Sequence, residues 1–144
     1  MKIKKIGSRQ YIDQTDTFCV LITDGEDNYL LIEEDRGYFG KQLELVSGKT
    51  NSEQAIVNTV REKTGYKIKD IIEIISFFPN MEYTTEKIHC FTALIDEEQK
   101  TGNYKWISED EFHQAIENGI IKDAKTIIAF YTYLSPLFND YDNI

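Results

Sequence analysis

The residues best placed to do chemistry lie on one side of a single helical segment. Within Ser52–Lys63, the residues Ala55, Ile56 and Val60, with Val57 beside them, form an apolar side. That leaves Thr59, Glu62 and Lys63 together on another face by the i, i+3, i+4 rule. Carboxylates gathered on one helix face provide the oxygen ligands and the negative potential that hold a hard divalent cation. Here the face offers one carboxylate, Glu62, and beside it an ammonium, Lys63, which opposes such an ion by like-charge repulsion. Read alone, Glu62 is equally well explained as a solvated helix residue paired with Arg61 or Lys63.

Other chemistry-bearing side chains give weaker signals. Tyr38, Phe39 and Tyr83 have ring faces that could stack on a planar heterocycle, but the chain has 9 tyrosines and 8 phenylalanines, most of which must pack the core. His89 alternates with apolar neighbours in an expected strand and His113 lies on a polar helix. Neither has a partner at metal-ligand spacing, so structural roles are expected for both. Trp106 reads as a packing residue of its strand. Gly48 and Gly65 read as turn and helix-exit glycines.

The elements that must position these residues follow from pattern. Runs rich in β-branched and aromatic residues predict strands at Thr17–Thr23, Tyr29–Glu33, Gln42–Val46, Ile68–Phe78, Lys87–Ile95 and Tyr104–Ile107. Gly25–Asn28 supplies hairpin-like turn chemistry between the first two. A first helix, Ser52–Lys63, follows Asn51 or Ser52 as N-cap and exits at Gly65. A second, Ser108–Asn118, pairs Ser108 with Glu111 as a capping box and ends at Gly119. A third, Asp123–Leu137, has the long apolar pattern of a packing helix. Strands, helix, strands, helices is the order of a mixed α/β domain.

Composition narrows the functional classes. A chain of 144 residues suits one domain, and 41% hydrophobic with 28% charged residues is ordinary for a packed protein. No internal repeat or linker divides it, so one domain over residues 1–144 is expected. With 16 basic and 25 acidic residues the net charge of -9 repels nucleic-acid backbones, although a local cationic pocket can still take a small phosphorylated ligand. The two cysteines, Cys19 and Cys90, sit far apart in apolar runs and read as buried thiols of a reducing compartment, hence the cytoplasm. The basic start MKIKKIG lacks a signal-peptide core, and no run reaches membrane-spanning length, so no membrane partner is expected.

The stretch Gln42–Tyr66, QLELVSGKTNSEQAIVNTVREKTGY, resembles the Nudix box: a strand, a glycine-bearing turn, a loop, a helix and a Thr-Gly-aromatic exit. Phe78–Ala93 looks like the stretch of the ADP-ribose pyrophosphatase branch in which a proline-bearing loop and a glutamate, here Glu86, precede an apolar strand. Lys105–Ser108, Gly119-Ile120 and Asp123–Thr126 are similar to that branch's C-terminal part, and the likeness runs from about Phe18 to Leu137. It implies the Nudix α/β/α sandwich with a mixed central sheet. It also implies magnesium- or manganese-assisted attack of water on a phosphorus of a nucleoside diphosphate derivative, of the ADP-ribose or nucleotide-sugar type.

The departures bear on that chemistry. At the family's three metal-binding glutamates this chain has Thr59, Glu62 and Lys63, and the loop from Gly48 to Ser52 is several residues short, with Lys49, Thr50 and Asn51. Two readings follow. In one, Glu62 and Glu44 hold a metal and Glu86 serves with Glu62 in catalysis, giving a weakened hydrolase. In the other, Lys63 stands in for the metal, leaving an inactive module that binds a nucleotide or a protein partner. Arg36, Glu44, Gly48 and Lys63 are the candidate contacts to a small nucleotide-type ligand, Arg36 matching an arginine that the family places near the substrate. The resemblance also allows a homodimer, although only about fifteen residues precede the first core strand.

Overall fold

A computed structural model describes residues 2–49, 52–98 and 103–136. Thr50 and Asn51 of the short loop, the alternative cap at Asn51, and Leu137 at the expected end of the third helix lie outside the described residues.

The sheet is organised around β3 (Thr17–Thr23), whose seven residues are all buried. It runs antiparallel to β4 (Asn28–Asp35) and parallel to β8 (Ile88–Glu98), and β8 runs antiparallel to the edge strand β7 (Tyr66–Phe77). Among the described residues seven strands make one mixed sheet along β5-β4-β3-β8-β7, where β5 is Lys41–Glu44. β6 (Val46–Lys49) adds to β3 and β9 (Tyr104–Ser108) adds to β4. A strand covered on both faces reads as a continuous apolar run, which is why TFCVLIT shows no alternation.

Helices cover both faces, giving the expected α/β/α sandwich. On one face α1 (Glu53–Thr64) packs Ile56 and Val60 against Phe18, Val20, Leu30, Ile32 and Val46. On the other, Phe112 of α2 (Glu109–Glu117) and Phe130 of α3 (Ala124–Leu134) stack with ring centroids 3.8 Å apart, over a core that includes Leu21, Leu31 and Leu45. The caps are local and match the sequence. Ser52 accepts from the Ala55 amide, and Gly65 closes α1 in the left-handed region at φ 81. Ser108 and Glu111 form the reciprocal capping box of α2.

Two features differ from expectation. The strand expected over Gln42–Val46 is two strands broken at Leu45, because β5 pairs with β4 whereas β6 pairs with β3. At the break the Leu45 amide donates to Thr126 Oγ1, which satisfies the group that leaves the ladder. The N-terminus, for which no element was expected, forms a hairpin of β1 (Lys2–Ile6) and β2 (Arg9–Asp13). An isolated two-stranded ribbon is marginal. This one is anchored by its backbone, Ile12 donating to the Tyr83 carbonyl and accepting from the Thr85 amide. Among the described residues no helix is long and apolar enough to cross a membrane.

Candidate functional site

Period-2 alternation along β4 puts Glu34 on the same face as Ile32, the face that α1 covers. From α1, Lys63 reaches down to it. Lys63 Nζ donates to Glu34 Oε1 at 3.1 Å and to the carbonyl of Ser47, in β6, at 2.9 Å. The ammonium is therefore seated between two oxygens at the point where the helix meets the sheet. Thr59 donates its hydroxyl proton back to the Ala55 carbonyl at 2.8 Å, and as a neutral hydroxyl it brings no carboxylate to the helix face. Glu62 is exposed, and no hydrogen bond or ion pair joins it to the other described residues.

Glu44, the last residue of β5, is 1% exposed and fully engaged. Arg36 grips it with Nε at 2.8 Å and Nη2 at 2.5 Å, and Lys125 Nζ lies 3.4 Å away. Lys125 also pairs with Asp123 at 2.9 Å, the residue that caps α3 through the Thr126 amide. The guanidinium is held well above its ordinary pKa, first by its bonds to Glu44 and then by the charges of Glu44, Glu34 and Asp123, against the opposing effect of burial. Glu34 thus links the Lys63 and Arg36 pairs into one electrostatic cluster. Beside it opens a cavity of about 390 Å³ lined by Arg36, Phe39, Gln42, Glu44, Lys122 and Asp123.

Glu86 lies elsewhere. It accepts from Thr17 Oγ1 at 2.5 Å and pairs with Lys49 Nζ at 2.9 Å, and Lys49 also donates to Thr17. The single metal site expected from Glu44, Glu62 and Glu86 is therefore not assembled: two of the three are each neutralised by their own cation, and no cluster of three or more metal-ligating side chains occurs among the described residues. Among the described residues the donors do not fit a magnesium or manganese ion. The Lys63 ammonium of α1 occupies Glu34 Oε1 and the Ser47 carbonyl, and the other carboxylate of that helix face, Glu62, is exposed and joined to no other described residue.

Gly48 serves packing. It pairs with Phe18 across β6 and β3, and a Cβ there would lie 2.8 Å from Phe18 Cε1. Sequence reasoning did not assign Glu34, Lys125 or Asp123 as partners of this cluster, although Asp123–Thr126 was noted for its resemblance, and it missed the lining residues Gln42 and Lys122. A hint for Glu34 was the every-second-residue series Ile32, Glu34, Arg36, which carries charge on one side of a strand as it leaves the core.

His89 is packed into a different cluster. Its Nδ1 is 2.9 Å from Glu73 and its Nε2 2.9 Å from Asp16, a placement between two carboxylates that favours the protonated ring, in which both nitrogens donate. Its pKa is raised, chiefly by the bond to Asp16 and then, against partial burial, by Glu73. Cys19 and Cys90 are free, buried and adjacent, with Sγ atoms 3.2 Å apart.

No family model and no curated protein matches the sequence. Solved structures do. A crystal structure of an ADP compounds hydrolase superposes with a TM-score of 0.76 at 13% identity, over 94% of this chain and 79% of that one. A NUDIX hydrolase from Nitrosomonas europaea superposes with a TM-score of 0.66 at 20% identity, over 83% of this chain and 87% of that one. Identities this low establish architecture alone, and with the box helix, mixed sheet and C-terminal helices disposed as described, the chain has the Nudix hydrolase fold.

Proposed function

We propose that the protein binds nucleoside diphosphate derivatives of the ADP-ribose or nucleotide-sugar type, with its own side-chain cations in the role of a metal, and does not hydrolyse them at an enzymatic rate. The observation that carries this reading is the Lys63 ammonium, fixed at 2.9 Å from the Ser47 carbonyl and 3.1 Å from Glu34. Lys63 lies in the last turn of α1 and is ion-paired with Glu34, so a diphosphate oxygen that displaces the carboxylate meets an ammonium already in place. The ammonium cannot activate water, because it has no open coordination position. Arg36 adds to the binding. Its Nε and Nη2 are committed to Glu44, but its side chain is 40% exposed and Nη1 keeps donors for a phosphate oxygen. Lys122 projects into solvent at the cavity rim. A hydrolase of ADP compounds shares the fold, which makes ADP derivatives the first ligands to try.

A second reading, slow metal-assisted hydrolysis, is favoured by one observation: Glu62 is exposed and keeps its carboxylate unpaired among the described residues. Incubation of ADP-ribose and several nucleotide sugars with magnesium, manganese or chelator separates the two. Ligand binding without product is the expected result. Metal-dependent release of AMP that disappears in Glu62→Gln would establish the second reading instead.

A further inference from the structure

Residues 12–14, at the root of the N-terminal hairpin, are seated on the segment Tyr83–Thr85. Besides the two backbone bonds of Ile12, the Gln14 amide donates to Thr85 Oγ1 at 2.9 Å. Thr84 Oγ1 donates to Gln14 Oε1 at 2.9 Å, and Thr85 Oγ1 to Asp13 Oδ1 at 3.0 Å. These side-chain bonds are solvent-exposed, and none joins opposite charges. Among the described residues, the one ion pair made by residues 2–16 runs from Asp16 to His89 Nε2 of β8, at 2.9 Å. The same ring holds Glu73 of β7 through Nδ1, also at 2.9 Å. One imidazole therefore ties the root of the hairpin to two strands of the sheet. It can donate to both carboxylates only while it carries both protons. The neutral ring has one N–H, and the other nitrogen then turns a lone pair on a carboxylate. The β7–β8 ladder holds Glu73 in place whatever the ring does, whereas Asp16 lies in the unpaired segment before β3. Asp16 is therefore the partner that lets go. A cavity of about 310 Å³ lined by Glu53 and Ile56 of α1, Ile71 and Glu73 of β7, and His89 and Phe91 of β8 brings water to the ring. Among the described residues no other cation pairs with Asp16, Glu73 or Glu53, and the neighbouring Lys49 is taken by Glu86.

We infer that His89 is a pH-sensitive latch on the N-terminal hairpin: the protonated ring fastens Asp16 to the sheet, and loss of the Nε2 proton to water loosens the hairpin's root on the Tyr83–Thr85 segment. The step is a proton transfer alone. Nε2 gives its proton to water, Nδ1 keeps its hydrogen and its bond to Glu73, and Asp16 keeps its charge. The two carboxylates, Asp16 first and then Glu73 against partial burial, hold the ring above the ordinary histidine value, so the latch is closed at acidic pH and opens as pH rises through the titration. What it releases differs from the rest of the chain. Residues 2–13 carry Lys2, Lys4, Lys5 and Arg9 against Asp13, a basic ribbon on a chain of net charge -9. A two-stranded ribbon has little core of its own, so its seating rests on few bonds and responds to the loss of one.

The test is hydrogen exchange of the whole chain followed by nuclear magnetic resonance, on the acidic and alkaline sides of the His89 titration as located by its ring carbon shifts. Exchange is expressed as protection, which removes the intrinsic pH dependence of the reaction. The amides of Ile12 and Thr85 donate across the seat, and on crossing the titration they should lose about fivefold in protection, the worth of one charge-assisted hydrogen bond discounted for a half-exposed Asp16. The amides of Cys19 and Val20, in β3, should keep theirs. In Asp16→Asn the side-chain amide accepts from the protonated ring and donates to the neutral one, so protection at Ile12 and Thr85 should stay level across the same titration. Level protection in the wild type would show that the root does not depend on the ring and overturns the latch. The same loss in Asp16→Asn as in the wild type overturns it too, because the pH dependence then arises elsewhere, and so does a loss shared by Cys19 and Val20, because the whole fold then responds.

Discussion

Removing Arg36 should destabilise the protein more than removing the charge it grips. Glu44 is 2% exposed at its side chain and carries three cation contacts, two from Arg36 and one from Lys125 at 3.4 Å. In Arg36→Met the carboxylate stays buried with only Lys125, which Asp123 holds more closely at 2.9 Å. Breaking a buried ion pair from one side costs roughly 3–5 kcal/mol, and the surviving lysine reduces that here to about 2–3 kcal/mol. In Glu44→Gln the stranded partners fare better: Arg36 is 40% exposed and turns to water, and Lys125 keeps Asp123. The expected cost is then about 1–2 kcal/mol, that of a weakened charge-assisted hydrogen bond. Urea denaturation followed by circular dichroism measures both, with an unchanged m-value as the control for two-state behaviour. If Arg36→Met costs less than Glu44→Gln, the carboxylate is not dependent on Arg36 and the burial argument fails.

Three further outcomes are expected. Gly48→Ala puts a methyl group 2.8 Å from the Phe18 ring, itself 1% exposed, so overpacking should destabilise by about 1–3 kcal/mol in the same assay, where a purely ligand-facing glycine would leave stability unchanged. His89 has a raised folded-state pKa, so its clamp between Asp16 and Glu73 stabilises fully below the unfolded histidine value of about 6.5 and is lost as pH rises through the higher folded value. The stability of the wild type should therefore fall more steeply than that of His89→Gln as pH rises above about 6.5, and parallel curves would show that the clamp does not depend on a protonated ring. Lys63→Glu, with Thr59→Glu, withdraws the ammonium from Ser47 and Glu34 and adds carboxylates beside Glu62, so manganese binding detected by electron paramagnetic resonance should appear; spectra identical to those of the wild type would show that this helix face does not point where the fold places it.

What was legible in the sequence was local. The Ser52 cap, the Gly65 exit and the Ser108-Glu111 box each involve residues a few positions apart, so their signals survive in a linear reading. The polar face of Thr59, Glu62 and Lys63 was found by helix periodicity, but what Lys63 does there depends on Glu34, 29 positions away, and on a backbone carbonyl that no residue type announces. Glu44 was singled out as a ligand, whereas its closure by Lys125 comes from a residue 81 positions away. The hairpin of residues 2–13 escaped because KIKKI is exposed throughout and RQYID half-buries only the adjacent Tyr11 and Ile12, which leaves no alternation to read.

The measurement closest to the central claim is calorimetric titration of ADP-ribose into the protein, once in excess chelator and once in millimolar magnesium. If Lys63 and Arg36 serve as the cations, the affinity is the same in both and falls in Lys63→Gln. Affinity that appears only with magnesium would contradict it and place a metal where the structure places an ammonium.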